Sequence, residues 1–268
     1  MQVYVSNREI EQIAEGLVHV ACGKPPPKRI NIDSVAAYLG LTVRYEKFAE
    51  SDPDKIGFTS DGKSALTVFR NGQKQRIIFP KEAIVLDSFL QYPCESSRRR
   101  FTLAHEISHI LINRADPTHT APCFNRVYDT ERKYDLNELH ERMNLGECQA
   151  NTMAAIILMP KELLAVSVRR HFRKNKIPVY GDCVFLPEIK PSMQSMADEL
   201  GVSFTAMLIQ LRKYGLLEER DMAEYFDKIK VGDRNGVLDN HWRGSIMRWR
   251  WRIMEEKQQK EITFKLSL

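Results

Sequence analysis

Between Arg100 and Asn113 the chain carries the stretch that most restricts its fold: His105-Glu106-Ile107-Ser108-His109, set inside an apolar helical repeat. Residues four apart on an α-helix stand almost one above the other, so both imidazoles leave the same face. Glu106 follows about 100° round the helix, beside the histidines rather than behind them. With His105 at zero on the wheel, Leu103, Ala104, Ile107, Ile110 and Leu111 gather on the opposite side. Phe101, Thr102, Glu106, His109 and Ile112 fall on or next to the histidine side. A helix patterned this way has a core face and a site face, and the fold must cover one while leaving chemistry on the other. Ser96 or Ser97 caps its start, and Asp116-Pro117 marks a stop shortly after Asn113. Arg98, Arg99 and Arg100 oppose the helix dipole in the first turn and are read as a solvated start, in preference to a site for an acidic partner or a substrate carboxylate.

Two histidines at this spacing are a metal-ligand pair, with zinc as the expected ion, and Glu106 sits where a base for a metal-held water belongs. A chance match remains the bland alternative, at about the one-percent level for ordinary residue frequencies. Catalytic zinc sites normally have three protein ligands and one open position. The segment from Glu147 to Pro160 supplies a candidate third, because it forms a second helix with Glu147, Ala150, Asn151, Ala154 and Leu158 on one face. Small residues there allow two helices to approach closely enough for the Glu147 carboxylate to reach the histidines. Asn151, one turn on, is placed to accept a hydrogen bond from a ligand histidine and so fix its tautomer. Pro160 ends this helix or opens the next, which runs from Lys161 to Phe172.

The run Arg100-Phe101-Thr102-Leu103-Ala104-His105-Glu106-Ile107-Ser108-His109, together with the Glu147 to Pro160 block, resembles the ImmA/IrrE family of zinc metallopeptidases. That family's pattern is R-F-T-[LI]-A-H-E-[LI]-[GA]-H, then E-x-x-A-N-x-F-A-A-x-L-L-M-P. The likeness is specific over roughly residues 95 to 165 and looser back to residue 7. It implies zinc ligands at His105, His109 and Glu147 and a catalytic glutamate at Glu106. It also implies limited, regulatory cleavage of a DNA-binding helix-turn-helix repressor in phage, mobile-element or stress-response control. The chain departs from the pattern at Ser108, at Met153, and in a longer stretch between His109 and Glu147.

The expected fold class is α+β: a zincin-like unit whose small antiparallel sheet packs on the active-site helices, followed by a mainly helical C-terminal region. The corresponding domains are 1–190 and 191–268. Ser6-x-x-Glu9 has capping-box spacing and opens a helix to about Val20. A short helix from Ile32 to Leu39 ends at Gly40, and a strand follows from Leu41 to Lys47. Ala65 to Arg70 and Gln73 to Phe79 flank Asn71-Gly72, the strongest short hairpin signal. An edge strand beside a metal can pair with an extended peptide, and Ile77, Ile78 and Phe79 are the candidates for that substrate-binding edge. Residues 115–135, with His119 and Tyr128, are expected to form an active-site loop.

No run of 18 apolar residues occurs and the start lacks a charged-then-apolar leader, so neither a membrane span nor a signal peptide is expected. The five cysteines are scattered without a C-x-x-C, as for reduced thiols in a cytoplasm, and none is assigned to the metal. The net charge of +5 is uneven, with seven Lys/Arg against three Glu from His241 to the end. Ala197-x3-Gly201-x5-Met207 has helix-turn-helix spacing, with Phe204 to Lys213 as its second helix. That helix is mostly apolar and its cations, Arg212 and Lys213, come late, whereas DNA-reading helices offer polar and basic groups early. A structural hairpin is therefore the better reading. Trp242, Ile246, Trp249 and Ile253 recur at helical spacing among arginines, a pattern for core or protein docking more than for base stacking. Two other function classes compete with a peptidase: a non-catalytic module that binds a repressor or toxin partner, and a DNA-binding regulator working through the tail.

Overall fold

The computed structural model describes residues 5–49, 55–115, 123–126, 145–181 and 184–233. Helix α1 (Asn7–Cys22) begins on the expected capping box. The Ser6 hydroxyl accepts from the Glu9 N–H at 3.3 Å, while the Glu9 carboxylate accepts from the Ser6 N–H at 2.8 Å. Its buried stripe is Ile10, Ala14 and Val18. Helix α2 (Ile32–Tyr38) starts on the Asn31 side chain, which accepts from the backbone of Asp33 and Ser34.

Six strands follow: β1 (Val43–Phe48), β2 (Lys55–Thr59), β3 (Ala65–Arg70), β4 (Gln73–Ile78), β5 (Ile84–Asp87) and β6 (Cys123–Arg126). They form one sheet in the order β4-β3-β1-β5-β2-β6. The β3–β4 hairpin turns on Asn71 and Gly72, both at positive φ (50° and 76°), as a two-residue hairpin loop demands. The sheet is mixed rather than purely antiparallel, because β5 returns alongside β1 in the same direction, with Val43 opposite Ile84. A parallel pair needs a long crossover, and here β2 and the β3–β4 hairpin supply it. Strands β2 and β5 carry little alternation in sequence, since β2 is buried on both faces. Phe58 joins Leu66, Val68, Phe79, Ala83 and Val85 in a cluster on one face, while Gly57 and Thr59 turn to the other. Strand β6 lies within the segment expected to be a loop and pairs with β2, Thr59 opposite Cys123.

Helix α3 (Ser96–Ala115) carries the histidines. It packs on β2, β5 and β6 on one side and on α4 (Leu145–Leu158) on the other, and α1 lies against α4 in turn. Thr102 through Ile110 are all buried, so α3 is an interior helix with two covered faces rather than one core face and one open face. Helices α5 (Lys161–Phe172), α6 (Lys190–Leu200) and α7 (Phe204–Lys213) continue the layer, α5 against α6 and α6 against α7. Met207, Gln210 and Leu211 of α7 are buried, so its apolar face is used in packing. No single described helix is long and apolar enough to cross a membrane; α4 and α5 meet that measure only as a pair bent by 50°.

The described residues divide into two compact units, one reaching Ile177 and including Pro187–Glu218, the other comprising Pro178–Leu186 and the chain from Glu219. The α6–α7 hairpin belongs to the first. Strands β7 (Ile177–Tyr180) and β8 (Leu217–Arg220) form a two-stranded sheet, and α8 (Met222–Asp233) follows. In the second unit Lys228 Nζ donates to the Tyr180 hydroxyl at 2.8 Å, and the Tyr180 ring meets Tyr225 at 5.5 Å. The Trp242 to Ile253 pattern lies outside the described residues.

The arginines that open α3 are not a uniformly solvated start. Arg98 pairs with Glu95 in solvent at 3.1 Å. Arg99 Nε donates to the Tyr45 hydroxyl at 2.6 Å and its guanidinium pairs with Asp33. Arg100 is 5 % exposed and donates to the carbonyls of Gly201 (2.9 Å) and Leu200 (3.3 Å), at the negative end of the α6 dipole. Burial, with Arg29 adding to it, pushes the Arg100 guanidinium down to about 10, still charged at neutral pH. Gly201 holds φ at 67°, so the turn favours glycine, and an added Cβ there would also displace the Arg29 guanidinium. Replacing Arg100 with Leu leaves two buried carbonyls unpaired and is expected to cost about 2–3 kcal/mol in denaturant unfolding. Arg98→Ala is expected to change stability by less than about 0.5 kcal/mol, because its ion pair is exposed.

Candidate metal centre

His105 and His109 leave the face of α3 that meets α4, and Glu147, in the first turn of α4, meets them. Ala150 and Ala154, both fully buried, line the same face of α4 and let the two helices approach. His105 Nε2 lies 3.2 Å from one Glu147 oxygen and His109 Nε2 lies 3.3 Å from the other. The two Nε2 atoms are 2.8 Å apart. Among the described residues these three form the group able to hold a metal ion, their ligand atoms all lying within 4.8 Å of one another.

The second nitrogen of His105 decides what the first can do. Nδ1 lies 2.9 Å from Asn151 Oδ1, a contact that makes Nδ1 the protonated nitrogen and leaves a lone pair on Nε2. That lone pair faces a carboxylate oxygen and a second imidazole nitrogen at hydrogen-bonding distances. Burial pushes the His105 imidazolium down in pKa, His109 adds to this, and the hydrogen bonds to Glu147 and Asn151 oppose it without prevailing. Burial also acts to raise the Glu147 carboxyl, but its contacts with His105 and His109 dominate and hold it well below the ordinary carboxylate range. Neutral imidazole facing ionised carboxylate is the protonation state that ligates a divalent cation, and positive charge between the donors relieves their repulsion. Both histidines are buried, whereas Glu147 is 27 % exposed at its side chain and Asn151 is exposed, so among the described residues the cluster opens toward solvent on the α4 side.

Glu106 points elsewhere on α3. It is fully buried and turned toward β2, where the Thr59 hydroxyl donates to its Oε2 at 2.5 Å. Its Oε1 lies over Gly57, where an added Cβ would stand 2.5 Å away. Neither β2 residue was marked by sequence reasoning: a threonine and a glycine in a short strand carry no local sign of a partner on a helix 47 residues downstream.

The remaining candidates are distributed more widely. Ile77 and Phe79 pack in or against the Phe58 cluster, on the opposite face of β2 from Glu106, and Ile78 is exposed. The sheet edge beside α3 is β6, because α3 crosses β5, β2 and β6 and β6 ends the strand order on that side. Ile77 and Ile78 lie on β4, an edge strand at the opposite end of the strand order from β6, and Phe79 follows directly after it. His119 and Tyr128 lie outside the described residues. Ser108, the unusual residue within the motif, is buried and donates to the Ala104 carbonyl one turn back at 2.7 Å, so its hydroxyl is satisfied within the helix. Met153 is fully buried and fills core space, as a phenylalanine would.

A family model described as Peptidase_M78, IrrE N-terminal-like domain, matches residues 36–212. No curated protein matches the chain.

The donor set predicts one divalent metal per chain after loading and dialysis, measured by elemental analysis. Glu147→Ala and His109→Ala should each abolish retention, since two ligands no longer close the site. Asn151→Ala should keep the stoichiometry but weaken affinity about 10–100-fold, because the tautomer of His105 is no longer fixed.

Proposed function

Because the chain belongs to the IrrE N-terminal-like family of peptidases, matched over residues 36–212, we propose that it is a zinc-dependent endopeptidase of zincin type. The observation that carries the reading is the convergence of His105, His109 and Glu147 on one point between two helices. Zinc suits that donor set. Two imidazole nitrogens and a carboxylate are ligands that zinc favours, and here the two Nε2 atoms stand 2.8 Å apart, with one Glu147 oxygen 3.2 Å from His105 and the other 3.3 Å from His109. When bound, zinc would polarise the scissile carbonyl and acidify a water.

The chain's own residues do the rest. His105 and His109 supply neutral donors, and Asn151 keeps the His105 ring in the right tautomer. Glu106, beside them on α3, takes the proton of the attacking water and returns it to the departing amine. The substrate class, a helix-turn-helix repressor cut at a limited position in the cytoplasm, is the reading that resemblance to the family's regulatory members supports.

Digestion of a proteome-derived peptide library by the zinc-loaded chain, with new termini mapped by mass spectrometry, tests the activity. Discrete cleavage sites are expected. Glu106→Gln should retain zinc and lower the rate by about 10²–10⁴-fold. Undiminished cleavage by that variant would contradict the mechanism. Incubation with purified helix-turn-helix repressors then tests the substrate class, and a single clipped product is expected.

A further inference from the structure

We infer that Thr59, with the space left by Gly57, is the positioning device for Glu106, and that strand β2 thereby sets where the proposed base stands relative to the histidines. The inference rests on the peptidase reading for its function, and on separate geometry for its existence. On α3, Thr102 and Glu106 are one turn apart and face β2, while His105 and His109 face α4. The helix therefore holds its metal ligands against one layer and its carboxylate against another. A glutamate has three side-chain torsions, and the helix excludes one well of the first while leaving the rest open.

The selection comes from β2. Gly57 and Thr59 are two apart on a strand and so point to the same face. The Thr59 hydroxyl has one proton, and its acceptors are Glu106 Oε2 at 2.5 Å and the Glu106 carbonyl at 3.4 Å. The shorter contact takes the proton. Threonine is stiff at its first torsion, so the donor's direction is set by the strand backbone. That backbone is itself held from both sides: Gly57 and Thr59 pair with Leu86 and Ile84 of β5, and with Asn125 and Cys123 of β6. Gly57 completes the grip by absence. An alanine Cβ would stand 2.5 Å from Glu106 Oε1 and 2.8 Å from Thr102 Cγ2, both shorter than such contacts allow. The carboxylate is thus held at Oε2 by the Thr59 hydroxyl, while Oε1 occupies the space that Gly57 leaves open.

The test has a structural arm and a kinetic arm. In the metal-free protein, urea unfolding of Thr59→Val, Glu106→Leu and the double variant should be non-additive, the double variant losing less than the sum of the singles. Additive losses would overturn the inference whatever the chain cleaves. In the zinc-loaded protein, with a synthetic peptide spanning a bond cut in the library assay, Thr59→Val should retain full zinc. Its kcat should fall about 10–100-fold with KM within about twofold. Thr59→Ser should restore kcat to within about threefold, since it returns the donor, and Gly57→Ala should fall with Thr59→Val. Thr59→Cys, which keeps the size and weakens the donor, replaces Thr59→Val if that variant does not fold. Wild-type kcat in Thr59→Val, or no rescue by serine, would overturn the positioning role while leaving the peptidase reading intact. A wild-type chain that cleaves nothing, or a Glu106→Gln variant that cleaves normally, would take down the peptidase reading and the role with it.

Discussion

Everything about this site depends on how closely α3 and α4 approach. Two imidazoles and a carboxylate are buried where the helices meet, and each brings lone pairs toward the others. Water cannot solvate that arrangement well, because both histidines are almost completely covered. Positive charge between three electron-rich groups relieves their repulsion, as a shared proton or a bound divalent ion would supply. Ala150 and Ala154 make the approach possible, since larger side chains on that face of α4 would hold Glu147 away from α3. The packing of two helices and the chemistry of the centre are one constraint.

The rest of the fold braces α3 from its other sides. The sheet takes the Glu106 and Thr102 face, with Gly57 allowing β2 to come close. At its start, Arg99 ties the helix to Tyr45 and Asp33, and Arg100 ties it to the carbonyls that end α6. An arginine run that is unfavourable for an isolated helix is thereby matched to carboxylate, phenol and carbonyl partners, two of them at the negative end of another dipole. The α6–α7 hairpin is built into this bracing: α6 receives Arg100, and α7 turns Met207 and Leu211 inward.

What could be read from sequence was what is encoded locally. The histidine spacing, the Ser6–Glu9 box, the Asn71-Gly72 turn and the small face beside Glu147 each depend on residues within a few positions of one another, and each appears in the structure at those residues. Strands β2 and β5 were not legible, because burial on both faces removes the alternation that marks a strand. Arg100 was misjudged for a different reason: its partners lie 100 and 101 residues downstream, and no local pattern announces them. The Thr59 contact to Glu106 is non-local in the same way. The β3–β4 hairpin is legible from its Asn71-Gly72 turn, whereas β6, the edge strand beside α3, has no such local signal.

X-ray absorption at the zinc edge of the zinc-loaded chain addresses the centre most directly. The account predicts only nitrogen and oxygen neighbours at about 2.0–2.2 Å, with the outer-shell signal of two imidazoles. A sulfur neighbour at about 2.3 Å, or a spectrum with no imidazole signal, would contradict it.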